Sequence, residues 1–572
     1  MKPQSRRRCG ESPGRRLWFA WALPALGWIL HGCGRTTAPP SPPPPAQVRP
    51  SALFEDRAVQ AGLQFTLGHN GRSPLTILET VGHGCAFLDY DGDGWLDILL
   101  VGPNKVALYH NNRNGTFTDV TADSGLRQKG IWQGVATGDY DNDGKIDLYI
   151  SGYRDGALYH NEGNGKFREV TRKAGLQTDL WGASACFVDV DNDGFLDLYV
   201  THYVKYLPTS VQFCLQTGVK AACGPTVYDP EKGALYHNNG NGTFTDETIK
   251  RGLGDAHGNA LGVAVADYDG DGWPDIAVAN DQMPGDLYHN KGHGYFENVG
   301  LAGGTAYDAG GNAHAGMGID WADYSAESKF ALVVTTYQHQ PKSLYVQTSP
   351  GMFADVCYSV GIAQPTLNYV GFGVKFCDYD NDGLQDLVIA NGHAVDNIAK
   401  TDRTTTYPQL PQLFHNTGGG KLEEVTASGG PPFQHPIVGR GLAVGDYDND
   451  GRLDILIVDI EGRPLLLHNV CPSPNHWLTL KLQGVQSNRD GIGAMLLIQA
   501  GGRTWKQTVT TGGSFMSAGD ARMHLGLGNA TRADRIEIRW PSGRKTILKD
   551  VEGDRFLTIV EGESKASAPT GR

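Results

Sequence analysis

One acidic nine-residue loop recurs six times in this chain with the same punctuation, and that recurrence limits what the chain can fold into. The copies are DYDGDGWLD (89–97), DYDNDGKID (139–147), DVDNDGFLD (189–197), DYDGDGWPD (267–275), DYDNDGLQD (378–386) and DYDNDGRLD (446–454). Aspartate stands at positions 1, 3, 5 and 9 of each, with glycine at position 6, where the backbone must turn sharply. Six loops with identical spacing are not the product of a solvated surface turn. Oxygen-only ligands around such a turn suit Ca²⁺, whose coordination is permissive, and the position-7 residue adds a backbone carbonyl.

The candidate metal ligands follow loop by loop. They are Asp89, Asp91, Asp93, Trp95 and Asp97; Asp139, Asp141, Asp143, Lys145 and Asp147; and Asp189, Asp191, Asp193, Phe195 and Asp197. The second half of the chain offers Asp267, Asp269, Asp271, Trp273 and Asp275; Asp378, Asp380, Asp382, Leu384 and Asp386; and Asp446, Asp448, Asp450, Arg452 and Asp454. Carboxylates about 4–5 Å apart repel by roughly 3–4 kcal/mol per pair at an effective dielectric near 20, so a divalent cation is the natural counter-charge.

Each loop sits inside a longer unit. A Gly-rich apolar strand such as GVATGDY (134–140) precedes it, and a β-branched or aromatic strand such as DLYI (147–150) follows. Then come LYHN (108–111, 158–161, 235–238, 287–290), a turn such as NGTF or NGKF, and a strand of the type FxDVT. Asn-Gly between strands is a strong hairpin signal because both residues tolerate positive φ. Four short strands per unit, repeated along the chain, predict an all-β fold, a β-propeller over 53–470. The gap between 275 and 378 holds a degenerate copy, DYSAESKFA (323–331), in which Ser325, Ser328 and Ala331 replace two aspartates and the glycine. This predicts seven blades and six metal sites, with Lys329 as an internal positive charge in the fifth blade. FEDRAVQAGL (54–63) aligns with FTDVTADSGL (117–126) but has no preceding LYHN, while the last unit lacks that strand. The N-terminal strand is therefore expected to complete the seventh blade and close the ring, which removes free sheet edges.

The ends of the chain speak to location. Residues 1–32 carry six basic side chains and the apolar run 17–30, which reads as a secretory signal. LHGC (30–33) makes Cys33 a candidate lipidation site, anchoring the protein to a membrane of the cell envelope. The Pro-rich stretch within 33–52 reads as a semi-rigid spacer. Without residues 1–32 the formal charge of −13 becomes −18, and no basic stripe exists to neutralise phosphates, so nucleic acid is excluded as a partner. Cys214 and Cys223 bracket a short loop and are expected to form a disulfide. Cys85, Cys186 and Cys377 read as small core residues, whereas Cys357 and Cys471 carry no assignment.

Beyond residue 471 the acidic loops stop. NHWLTLKL (475–482), GAMLLIQA (493–500), RTWKQTVTT (503–511) and DRIEIRWPSGRKTIL (534–548) alternate as strands, which predicts a small β-sandwich to residue 562 and a disordered tail over 563–572.

Two resemblances follow from these residues. The acidic loops and their flanking strands resemble the FG-GAP/VCBS repeats of integrin-type propellers. NHWLTLKL, SNRDGIGA (487–494), GGSFMSAGDARMHLGLG (512–528) and IEIRWPSGR (536–544) resemble the ASPIC/UnbV domain. Together with HNGRSPLTILETVGHGCAFLDYDGDG (69–94), the CGP-x-x-Y segment (223–228) and ANGH (390–393), they are similar to the cartilage acidic protein family. The resemblance implies a calcium-binding, extracellular, matrix- or surface-associated protein and no particular reaction.

Other candidates are weaker. Asp520, Arg522 and His524 have the composition of a catalytic trio, but alternating charges beside glycines are better read as a strand edge. His69, Glu79, His83, His314 and His393 are candidates for the mouth of a central channel, against the simpler reading as satisfied turn residues. The long insertions 201–233 and 391–411 should project from the face opposite the acidic loops. No nucleophile elbow, phosphate loop or HExxH appears. The expected function is an exported binding or adhesion module for a glycan or protein. The alternative is an extracytoplasmic enzyme that uses the propeller funnel on a polysaccharide or secondary metabolite.

Overall fold

A computed structural model describes residues 52–563 and 565–567. The signal segment, Cys33 and the Pro-rich spacer lie outside the described residues, as does most of the tail.

The described chain is all-β, with seven four-stranded antiparallel sheets followed by a two-sheet module. Blade 1 shows the plan, with strands Cys85–Leu88, Asp97–Gly102, Lys105–Asn111 and Phe117–Asp119. Its register pairs Cys85 with Leu100, Leu99 with Leu108 and Tyr109 with Asp119. The acidic loop joins the first strand to the second, and the Asn-Gly turn joins the third to the fourth. Second strands such as Asp97–Gly102 are buried along their whole length, which explains their continuous apolar sequence.

The first strands of blades 2 to 7 are Trp132–Gly138, Gly182–Val188, Ala260–Ala266, Ile319–Ala322, Gly371–Cys377 and Gly439–Gly445. Each lies against the next in chain order, and that of blade 7 lies against that of blade 1. Phe54–Asp56 supplies the fourth strand of blade 7, with Phe54 opposite Asn469.

The C-terminal module places Met523–Gly528, His476–Gln483 and Arg555–Val560 in one sheet. Arg503–Thr508, Met495–Ala500, Arg532–Arg539 and Lys545–Glu552 form the other. Leu480, Leu496, Leu525, Ile536, Ile538 and Ile559 fill the space between, in an apolar cluster that continues into blades 2 and 3 through Tyr140, Phe187 and Leu196. The strand over 555–560 was not among the sequence expectations. It pairs parallel to 478–483.

Residues 509–522 depart furthest from expectation. Rather than remaining in the sandwich, this segment enters the axis of the propeller and bonds to the first strands. Ser514 exchanges backbone bonds with Ile319 at 2.6 and 3.0 Å, and Val135 donates to the Met516 carbonyl at 3.0 Å. Ala518 donates to Cys85 at 3.0 Å, and Asp520 donates to Val444 at 3.2 Å. Phe515 and Met516, both fully buried, form the tip. They pack against the short helix Ile77–Val81, against Trp181 and Tyr203, and against Phe372. Close packing of the inner strands on one another and on the thread explains why they are rich in glycine. A β-carbon on Gly84 would lie 1.6 Å from the Met516 carbonyl oxygen.

Candidate functional site

The acidic loops lie on one face, where the module docks. Within each loop the position-1 carboxylate caps the turn. Asp89 accepts from the amides of Asp93 and Gly94 at 2.9 and 3.1 Å, and Asp139, Asp189, Asp378 and Asp446 repeat the pattern. Asp267 differs slightly, accepting from Gly270 and Gly272. The position-5 carboxylate accepts from the position-7 amide, as in Asp93 with Trp95, Asp143 with Lys145 and Asp193 with Phe195. Asp271 with Trp273, Asp382 with Leu384 and Asp450 with Arg452 follow suit. The position-9 carboxylate is buried, and Asp97 accepts from the amides of Tyr90 and Asn111 at 3.3 and 2.8 Å.

The histidine of LYHN completes the cluster, a role its sequence position did not announce. His110 Nδ1 lies 3.4 Å from Asp91 and 3.3 Å from Asp97. His160, His237, His289, His415 and His468 stand in the same relation to their own loops. In at least five of the loops a carboxylate pair and this histidine bring ligand atoms within 4.8 Å of one another. Buried oxygens of Asp141, Asp191 and Asp448 have no hydrogen-bond partner, so the donor set fits a hard cation. Burial pushes the position-9 carboxyls up, to about 9 for Asp97, about 7 for Asp275, Asp386 and Asp454, and about 6 for Asp147 and Asp197, with the neighbouring histidine pulling the last five back down in part.

The fifth blade supplies an internal control. With Ser325 and Ala331 in place of two aspartates, its third strand reads LYVQ, so Val346 and Gln347 replace histidine and asparagine together. Asp323 keeps the capping role, accepting from Glu327 and Ser328 at 3.1 and 2.8 Å. Its extra partner is the backbone amide of Lys506 in the module, at 3.0 Å. The expectation for Lys329 is corrected, because its ammonium lies on the surface beside Glu327 at 3.6 Å.

Position 4 links the loops into arcs. Asn142 donates to the Gly194 carbonyl at 2.8 Å and Asn192 to Gly272 at 2.9 Å. Asn381 donates to Gly451 at 2.8 Å and Asn449 to Gly94 at 3.0 Å. The ladder is interrupted where position 4 is Gly92, Gly270 or Ala326, none of which carries an amide side chain. Three of these asparagines also hold the module. Asn142 Oδ1 accepts from the Arg489 amide at 2.8 Å, Asn381 Oδ1 lies 2.6 Å from His524 Nε2, and Asn449 Oδ1 accepts from Arg522 at 2.8 Å. A second staple joins neighbouring blades, because the LYHN asparagine reaches the position-2 carbonyl of the preceding blade. Asn161 to Tyr90 and Asn238 to Tyr140, both 2.8 Å, are examples.

Asp520, Arg522 and His524 are docking residues. Arg522 pairs with Asp520 at 2.8 Å and donates to the Asp446 carbonyl at 2.9 Å. The other histidine candidates do not converge. His69 pairs with Glu461, and Glu79 closes a capping box with Thr76. His83 bonds the Trp132 carbonyl, His393 meets Gln338 at 3.0 Å, and His314 lies against Tyr345. Burial lowers His83 and His393 to about 4. The funnel expected for an enzyme is occupied along its axis by residues 509–522 of this chain.

On the opposite face, Cys214 and Cys223 form a disulfide that staples the hairpin Phe213–Gln216 and Val219–Ala222. Ala221 packs on Val395 and Ile398, so the two insertions meet. Tyr153, Trp181, Tyr203, Tyr206 and Tyr228 form an edge-to-face series beneath, and Val211, Leu215 and Val227 remain exposed. Cys85, Cys186, Cys357 and Cys377 are buried free thiols, and Cys471 is half-buried. Among the described residues no helix is long and apolar enough to cross a membrane.

The chain is similar to several known proteins. Cartilage acidic protein 1 of Mus musculus is 25% identical over 312 residues, covering 52% of this chain and 44% of that protein. The Homo sapiens protein is 26% identical over 311 residues, covering 52% and 43%. The chain thus spans less than half the length of these relatives. Among solved structures, BBS1N in complex with ARL6DN is 10% identical, covering 74% of this chain and 99% of that one, with a TM-score of 0.41. An Agrocybe aegerita lectin recognising non-reducing terminal N-acetylglucosamine is 18% identical, covering 60% and 79%, with a TM-score of 0.36. The FG-GAP-like repeat description matches 89–150, 139–200, 226–278, 267–334 and 378–457, together more than half of the chain, and the ASPIC and UnbV description matches 484–566. The chain belongs to the FG-GAP-like repeat family and ends in an ASPIC and UnbV domain.

Proposed function

We propose that this protein is an exported calcium-binding β-propeller that serves as a surface binding module for a glycan or protein. Its anchor is a lipid on Cys33, and its ring of seven blades is closed by the N-terminal strand. The observation that carries the calcium reading is the matched loss in blade 5, where the position-3 and position-9 aspartates and the histidine are missing together while Asp323 stays. A merely structural turn has no reason to lose both.

Binding is favoured over catalysis because the axis is filled by the chain itself and the histidine candidates are dispersed. The recognition surface is assigned to the insertion face, where a stapled hairpin stands on an aromatic base; loops on a rigid scaffold are where recognition concentrates. Metal titration of the full mature chain should saturate at six ions, and Mg²⁺ should replace Ca²⁺ poorly because it demands stricter geometry. Each site held at 100-fold over its dissociation constant adds about 2.7 kcal/mol. A melting curve unmoved by chelator would refute the calcium reading. Glycan-array binding that survives replacement of 213–222 by a short Gly-Ser turn would refute the assignment to the insertion face.

A further inference from the structure

The thread divides the mouth of the channel on the acidic-loop side. Between it and blades 1 and 2 lies a cavity of about 190 Å³, roofed by the module. Gly92, where the asparagine ladder is broken, is among its lining residues. Its floor is apolar, formed by the buried side chains of Phe87, Leu88, Leu96 and Leu482.

The rim is charged. Arg522 is already committed to Asp520, and Lys145 to Asp143. Asp490 is turned to the Asp139 amide at 2.7 Å. Two cations remain. Arg489 has no carboxylate within 4 Å among the described residues; its guanidinium donates to the side-chain oxygen of Gln483 at 2.8 and 3.0 Å and lies 3.5 Å from the Gly484 carbonyl, so its charge meets only neutral oxygens. Lys481 is 3.8 Å from Asp89, a position-1 residue of the first acidic loop. A divalent ion in that loop takes up the charge of Asp89, which leaves Lys481 and Arg489 facing the single acid Asp490.

We propose that this chamber binds a small organic carboxylate with an apolar body. The body would lie on the Phe87–Leu482 floor and the carboxylate between Arg489 and Lys481, with binding strengthened by calcium. The calcium dependence rests on the reading above, whereas the chamber and its floor do not. Apolar walls with a few convergent polar groups are the usual construction of a small-molecule site.

Calorimetric titration of the mature full-length protein with 3-phenylpropionate tests this, with 3-phenylpropanol as the uncharged control. One acid per chain is expected in millimolar calcium, with the alcohol at least about tenfold weaker, the scale of a charge-assisted hydrogen bond. R489Q should weaken the acid by about tenfold, and A521F, which fills the chamber, should abolish binding. Equal affinity for acid and alcohol, or binding unchanged by both variants, overturns the proposal. Melting curves identify a variant that fails to fold, and the acid–alcohol comparison on the unmodified protein then decides alone. Metal content of the same samples separates the two readings. Six ions with no acid bound defeats the chamber. Acid binding equally tight after chelator has stripped the ions removes the calcium dependence and leaves the chamber, whereas a protein that takes up no ions in millimolar calcium defeats the calcium reading.

Discussion

Asparagine at loop position 4 serves two neighbours at once, donating to the next loop and, in three of four cases, accepting from the module. Asn381 is almost fully buried and makes both bonds. N381A should cost about 2–3 kcal/mol, because the Gly451 carbonyl and His524 both lose a partner. N192A, whose amide reaches only Gly272, should cost about 1 kcal/mol or less. Denaturant unfolding in saturating calcium measures both, and equal losses would show that docking adds nothing at this position. Gly84 is the other revealing residue. G84A places a methyl group against the Met516 carbonyl, so the thread must shift, at about 1–3 kcal/mol or more. The loop aspartates were legible from spacing. Gly84 was not, because its constraint comes from a segment more than 400 residues away in sequence.

At the scale of the element, the third strand is more than a hairpin arm, since LYHN supplies a cluster histidine and an interblade asparagine. On the calcium reading proposed above, H415A, which removes the partner that holds Asp386 at 3.1 Å, should weaken one of six metal sites, so that a titration resolves five tight ions and one weak or absent one. Restoring histidine at Val346 should create no seventh site, because Ser325 and Ala331 still lack carboxylates. The strand order of each blade could be read from turn chemistry and alternation, both local signals. The thread over 509–522 could not. Its Gly- and Ser-rich sequence resembles any connecting loop, and only the channel it occupies supplies partners for its backbone.

For the molecule as a whole, the buried carboxyls set the response to pH once metal is stripped. Their folded values, about 6 to 7 in five loops and about 9 for Asp97, lie above the ordinary 3.8. The folded chain then holds more protons than the unfolded chain between these limits, so stability is greatest at the acidic end and falls as pH rises from about 4 to about 7. Calcium should flatten that slope near neutrality. Melting temperature against pH, with resin-stripped and calcium-loaded protein, checks both statements, and a metal-free protein that gains stability over this range would contradict them. The module and propeller share an apolar cluster and a threaded segment, so calorimetry should show one cooperative transition rather than two.

Periodic carboxylates, Asn-Gly turns and apolar alternation act over a few residues, so the sequence alone determined the repeating unit and the degenerate fifth copy, while the histidine beside each loop came only from the strand pairing. Three matters were left to tertiary structure: that the C-terminal domain covers the acidic face, that its own chain fills the axis, and that the histidine candidates part company. Each depends on which distant surfaces meet when seven sheets converge on one axis, and local pattern carries no record of that meeting.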